Sequence, residues 1–189
     1  MNSETGFDPA IRRRNRIMLV ALAALFLLPF VAATLLHLSG WSPQDTRNRG
    51  ELLEPPVPLS DLELHQADGS IYQWAPQERR WQIAVLPPAD CGAACNELIA
   101  GLDKVWRLQG RRADRLQVLW FGAVPADAVV FRNFVPMRPD ATLAQRMPGL
   151  ASSGAPTVYL YDPAGFLVMR YAPDFDLADL RADIAQLLK

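Results

Sequence analysis

From Ile17 to Leu38 the chain runs through 22 residues without a single Asp, Glu, Lys or Arg. Coiled as a helix, a stretch of that length spans about 33 Å, enough to cross the hydrocarbon core of a bilayer. Pro29 lies inside it, which a membrane helix tolerates. The flanks orient the block. Arg12, Arg13, Arg14 and Arg16 crowd its N-terminal side, whereas Arg47 and Arg49 on the far side are diluted by Asp45 and Glu51. The arginine-rich side is expected in the cytoplasm, with the rest of the chain outside it. Trp41 suits a membrane–water interface. The competing expectation is a cleaved signal peptide ending near Val31-Ala32-Ala33; Leu35, Leu36 and Leu38, which continue the apolar run, favour an uncleaved anchor. Either way the remainder enters an oxidising, periplasm-like space where a cysteine pair persists as a disulfide.

The 189 residues have room for one globular domain besides this segment. A formal net charge of −1 gives no bulk attraction to nucleic acid. Arg111, Arg112 and Arg115 read as a solvated connection between a helix and a strand. The chain therefore divides into a cytoplasmic tail (1–16), a transmembrane helix (17–38), a linker (39–60) and a globular domain (61–189). The linker assignment rests on Ser39-Gly40, Pro43, Asn48, Gly50 and Pro55-Pro56-Val57-Pro58, since such prolines favour extended chain.

Within the domain, Leu62–His65 and Ile71–Trp74 flank the turn signal Asp68-Gly69 and predict a hairpin. Trp81–Leu86 is an apolar strand ended by Pro87-Pro88. Asp90 is placed to cap a helix in which Leu98, Ile99, Leu102, Val105, Trp106 and Leu108 recur at helical spacing, with Gly110 as its C-cap. Leu116–Phe121 is the next strand, and Trp106, Trp120 and Phe121 are expected in the core. Ala126–Phe131 and Thr142–Met147 read as short helices. Thr157–Tyr161 and Phe166–Tyr171 are strands around Asp162-Pro163-Ala164-Gly165, read as a plain turn. A final helix begins at Asp176, with Leu177, Leu180, Ile184, Leu187 and Leu188 on one side. A strand–helix–strand unit followed by a hairpin implies a mixed sheet with helices on its faces, an α/β fold.

Cys91 and Cys95 are the only cysteines, three residues apart at the opening of the first domain helix. Two such thiols can form a disulfide, exchange one, or hold a soft metal. Thiolates at a helix N-terminus are stabilised by its partial positive charge, an effect that Asp90 opposes. Residues i and i+4 inside a helix keep their Cβ atoms about 5–6 Å apart, too far for a relaxed disulfide. Cys91 is therefore expected before or at the helix start, with Gly92 letting the backbone bend. No Ser-His-Asp set, glycine-rich phosphate loop or zinc-type cluster accompanies the pair, and two cysteines alone make a structural zinc improbable.

A cysteine pair at the first turn after a central strand, with Gly154-Ala155-Pro156-Thr157 some 60 residues on, resembles the thioredoxin fold. That resemblance implies that Pro156 has a cis peptide bond and faces the thiols, making Cys91, Cys95 and Pro156 the site residues. The C-x-x-x-C spacing, the single anchor and the proline-rich linker resemble the Sco/SenC group, whose members assist assembly of the copper centre of cytochrome c oxidase. Asn48-Arg49-Gly50-Glu51-Leu52-Leu53-Glu54-Pro55-Pro56 is similar to the segment that follows the anchor in oxidase-cluster relatives of that group. Sco proteins complete their copper site with a histidine just before the late hairpin; here that region is Leu150-Ala151-Ser152-Ser153-Gly154-Ala155. The two histidines of this chain are His37, in the apolar block, and His65, in the first hairpin. Met137 and Met147 carry soft sulfur but fit packing better than ligation.

Three functions follow from these residues. The pair exchanges disulfides with a partner, Cys91 attacking and Cys95 resolving. Alternatively it carries Cu(I) on both thiolates to the oxidase. Alternatively its disulfide is a local staple in a scaffold. The resemblance implies an oxidase subunit or another assembly factor as partner, and the inner (cytoplasmic) membrane as location, N-terminus inside and main domain periplasmic.

Overall fold

The computed structural model describes residues 9–39, 48–149 and 155–189. They fall into two units, one up to Arg47 and one from Asn48 to Lys189. The first is a helix, α1 (Pro9–Leu38). It starts earlier than the apolar block, because Pro9 suits a first helical turn and arginine is a good helix former. Its Ile11–Leu38 stretch is long and apolar enough to cross a membrane.

The second unit is a six-stranded mixed sheet with helices on its faces. Its strands are β1 (Glu51–Pro58), β2 (Trp81–Leu86), β3 (Leu116–Phe121), β4 (Phe134–Met137), β5 (Thr157–Tyr161) and β6 (Phe166–Tyr171), in the order β1-β6-β5-β2-β3-β4. The pairs β2–β3 and β3–β4 are parallel; β2–β5, β5–β6 and β1–β6 are antiparallel. The helices are α2 (Gly92–Arg107), α3 (Ala141–Arg146) and α4 (Leu177–Leu187). The expected order of strand, helix, strand, short helix, hairpin and final helix is thus present.

Side chains alternate across the sheet and divide the core into two layers. On one face Ile83, Val85, Val118, Trp120, Val158 and Leu160 meet α2 and α4. On the other, Ala84, Leu119, Phe121, Tyr159 and Tyr161 meet α3 and the loops around Leu59, Leu64 and Tyr72. Of the aromatic residues expected inside, Trp120 and Phe121 are buried. Trp106 is half-buried and donates its indole N–H to the Ala113 carbonyl at 2.8 Å.

Several boundaries differ from expectation. Residues 51–58, inside the segment read as linker, form β1. Its prolines do keep the chain extended, and it lies on the sheet edge, where missing N–H donors are tolerated. The Asp68-Gly69 hairpin forms, but as the single bridge His65–Ile71, too short for strands. α2 ends at Arg107, and Gly110 opens a separate 3-10 turn (Gly110–Arg115). Ala126–Phe131 is not helical; β4 follows it, the strand that parallel pairing to β3 draws out of an irregular segment. The Asp162 turn is a plain one, its carboxylate accepting the Ala164 and Phe166 N–H groups.

All four tyrosines, Tyr72, Tyr159, Tyr161 and Tyr171, are buried. Burial raises Tyr72 and Tyr159 from the ordinary 10.0 to about 12. Tyr161 is raised further by burial, and Tyr171 by burial and the neighbouring Asp183 carboxylate. A phenol that titrates later in the folded than in the unfolded chain contributes stability that is full below the unfolded value and lost as pH rises through the folded one. The urea midpoint should therefore hold up to pH 10 and fall between 10 and 12. Tyrosinate absorbance should emerge with unfolding rather than before it.

Candidate functional site

β2 is buried along its centre and leads directly to the cysteines. Pro87 and Pro88 end its ladder, because neither offers an N–H. Cys91 then occupies the N-cap of α2, with φ −91° and ψ −29°. The expected cap, Asp90, sits one residue too early and is exposed. α2 begins with neither a side-chain cap bond nor an acidic residue in its first turn. Its positive end is therefore not neutralised from within the helix, a setting that favours a sulfur carrying negative charge.

Gly92 follows with φ +47°. A residue with a side chain would be strained there by about 1–2 kcal/mol. The bend carries Cys91 out of the helical path and lets it reach back, as the spacing required. Cys91 and Cys95 are joined by a disulfide with their Cα atoms 5.4 Å apart. Cys95 lies on the buried stripe of α2 with Ile99, Leu102 and Val105, and it is 0% exposed. Cys91 packs on the same core but is only half-buried. Of the two residues, Cys91 is thus the one partly open to solvent and Cys95 the one enclosed by the core.

Register places Pro156 relative to them. Leu86, the last residue of β2, pairs with Thr157, the first of β5. Pro156 therefore enters the sheet at the end from which the cysteine loop leaves. The cis peptide bond among the described residues is Glu54–Pro55, not the bond before Pro156. On the face opposite α2, a cleft lined by Leu86, Pro87, Phe121, Asp140, Leu143 and Thr157 opens at the same end of the sheet.

The other sulfur and nitrogen candidates lie elsewhere. Met137 and Met147 are buried in the layer across the sheet from Cys95, and Met147 Sδ accepts from the Tyr161 hydroxyl at 3.4 Å. His65 sits outside β4, beside the Gln66–Met137 bridge, three strand spacings or about 14 Å from β2. His37 belongs to α1. Residues 150–154, where the Sco histidine would stand, lie outside the described residues. Among the described residues no three His, Cys, Asp or Glu side chains gather into a metal-binding group. Among the described residues, the soft donors that could hold copper at this point of the fold would be the two sulfurs, once reduced, and a pair of thiolates would suit Cu(I) better than a harder ion.

One buried carboxylate was not anticipated. Asp183, on α4, is 2% exposed. It accepts the Arg49 N–H at 3.0 and 2.9 Å, the Gly50 N–H at 2.9 Å and the Tyr171 hydroxyl at 2.9 Å. The signal was present in the final helix, where Asp183 interrupts the apolar stripe between Leu180 and Ile184.

Residues 81–189 match the family model described as a transmembrane-like, thioredoxin-like, C-terminal domain. The chain belongs to that family. Among solved structures it is similar to apo Sco1 from Thermus thermophilus, with a TM-score of 0.52 and 17% identity over 77% of this chain and 98% of that one. A SCO1/SenC family lipoprotein from Bacillus anthracis gives a TM-score of 0.52 at 14% identity, over 72% and 99%. BsSco, described as a member of the Sco family of cytochrome c oxidase assembly proteins with a disulfide switch, gives 0.50 at 13%, over 77% and 98%. These likenesses establish a shared fold. No curated protein matches the chain.

Proposed function

We propose that this is a membrane-anchored thiol–disulfide exchange protein, held by α1 with its N-terminus in the cytoplasm and its domain in the periplasm, acting during cytochrome c oxidase assembly. The observation that carries the exchange reading is the asymmetry of the pair: Cys91 is half-buried at the uncapped start of α2, and Cys95 is fully buried. A partner thiolate attacks Cys91 Sγ and Cys95 leaves as thiolate. The partner's second thiolate then attacks its own half of the mixed disulfide and releases Cys91. The partner's dithiol becomes a disulfide, and two electrons and two protons pass to Cys91 and Cys95. Arg12, Arg13, Arg14 and Arg16 support the orientation. The likeness to BsSco, whose description joins a disulfide switch to oxidase assembly, supports the setting.

A staple role accords poorly with the size of the loop. Closing so few residues stabilises by only about 2 kcal/mol in the chain-entropy account. Copper delivery remains the second reading, favoured by two thiolates and no harder ligand. The reduction potential of the full chain in detergent separates these roles. Exchange predicts a value above about −300 mV, and a lower one marks a structural bridge and overturns the proposal. Stoichiometric Cu(I) binding by the reduced chain, lost in both Cys91→Ser and Cys95→Ser, would favour copper delivery.

A further inference from the structure

Gln82 and Gln117 are neighbours across the parallel β2–β3 pair. Both belong to the sheet face that carries Ala84 and Leu119, the face covered by Leu64, Tyr72 and Met137. Gln82 is 3% exposed. Its side-chain oxygen is buried and has no hydrogen-bond partner among the described residues. An amide oxygen left unpaired inside a protein is costly, and an apolar residue at the same place would avoid that cost.

Gln82 lines a cleft of about 260 Å³ to which β3 and β4 contribute Gln117 and Val135. The hairpin around Asp68-Gly69 and the 3-10 turn Pro76–Glu78 close over it, contributing Gln66, Tyr72, Gln73 and Glu78. The Tyr72 hydroxyl donates to Gln117 Oε1 at 2.8 Å. That bond engages the acceptor end of the Gln117 amide and leaves its NH2 as a donor. Arg80, also on the lining, is ion-paired with Glu78, so the charges there cancel. The cleft stands apart from the dithiol. Gln82 lies near the start of β2, and Leu86, from which the chain leaves toward Cys91, is four residues on, about 13 Å away.

We infer that this cleft binds a neutral polyhydroxylated ring, a single sugar unit. Each hydroxyl of such a ring both donates and accepts. Two of them on one ring meet both amides, which stand one strand spacing, about 4.8 Å, apart: one donates to Gln82 Oε1 and the other accepts from the Gln117 NH2. Val135 and Ile71 offer apolar surface to the C–H groups of the ring. A carboxylate or an ammonium group in the same place would meet no net opposite charge and would have to part Arg80 from Glu78. The volume lies just below the range of about 300–1,000 Å³ that takes drug-sized ligands, so it admits one ring and not two. The inference is independent of what the dithiol does.

The test uses the full, isotope-labelled chain in dodecylphosphocholine micelles, whose headgroup carries no sugar. Glucose, galactose and N-acetylglucosamine are titrated separately, with acetate and methylammonium as charged controls, and amide NMR signals are followed. At least one sugar should give saturable shifts at Tyr72, Gln82, Gln117 and the side-chain NH2 groups of the two glutamines, half-complete at about 1 mM. Neither charged control should do so. Gln82→Met, which puts an apolar group of similar shape in place of the unpaired amide, should weaken binding about tenfold or more while the urea midpoint holds or rises. Val135→Phe, which fills the cleft from a half-buried position and removes no hydrogen bond, should weaken it as much. No saturable shift with any of the three sugars, an equal response to acetate or methylammonium, shifts that map to another part of the domain, or undiminished binding in either folded variant overturns the inference. If neither variant folds, the position of the shifts in the unaltered chain decides it.

Discussion

Cys91→Ser abolishes disulfide exchange, lowering its rate by roughly three orders of magnitude or more, as expected when the attacked atom is removed. Cys95→Ser behaves differently: its Cys91 thiolate still attacks a partner disulfide and expels one partner thiolate, but the mixed disulfide accumulates, because the resolving sulfur is gone. The contrast follows from position. Cys91 is half-buried at the N-cap of α2, whereas Cys95 is 0% exposed among Ile99, Leu102 and the sheet. In Cys91→Ser the surviving thiol has no path to a partner. Cys91→Ser loses the cross-link's contribution of about 2 kcal/mol, and Cys95→Ser loses a further ~1–3 kcal/mol for the hydroxyl it buries among apolar side chains. Non-reducing electrophoresis with a disulfide-bearing probe protein, together with circular dichroism, reads both outcomes. A mixed disulfide formed by Cys91→Ser and not by Cys95→Ser would reverse the assignment.

Asp183→Ala has the largest expected effect on stability outside the cysteine pair. Its carboxylate is the acceptor for two backbone N–H groups and one hydroxyl, all close to buried surface. Truncation strands the Gly50 N–H and the Tyr171 hydroxyl, both buried, and the loss should reach about 3 kcal/mol. Tyr171→Phe removes one donor and leaves the carboxylate engaged, so about 1 kcal/mol is expected. Urea unfolding measures both. Amide exchange locates the effect: Arg49 to Leu52 should lose protection in Asp183→Ala while β2 and β3 keep theirs. A loss below 1 kcal/mol with protection unchanged would show that the segment is held by its strand pairing alone.

Much of this fold is legible in the sequence where one physical signal dominates. Trp81–Leu86 and Leu116–Phe121 are apolar runs between punctuating residues, and both are strands. Asp176 precedes the final helix and caps it, accepting the Ala178 N–H group. Cys91's place outside the helix followed from the reach of a disulfide. Residues whose state is set by distant partners were harder to read. Phe134–Met137 has a proline and only four residues; β3 makes it a strand. Residues 51–58 read as linker because nothing local discloses β6, Tyr171 or Asp183. Asp90 looked like the cap because capping preferences are local, but the disulfide ties down its neighbour and shifts the helix start by one residue.

β1 forms one margin of the sheet, and it carries Pro55, Pro56 and Pro58 within eight residues. Its register against β6 slips between Leu52 and Val57. A margin so poor in N–H donors and so unevenly paired is a bad template for a strand from another molecule. Copies of this chain crowded together should therefore resist sheet-to-sheet aggregation along that margin, through the same prolines that gave the segment the look of a linker.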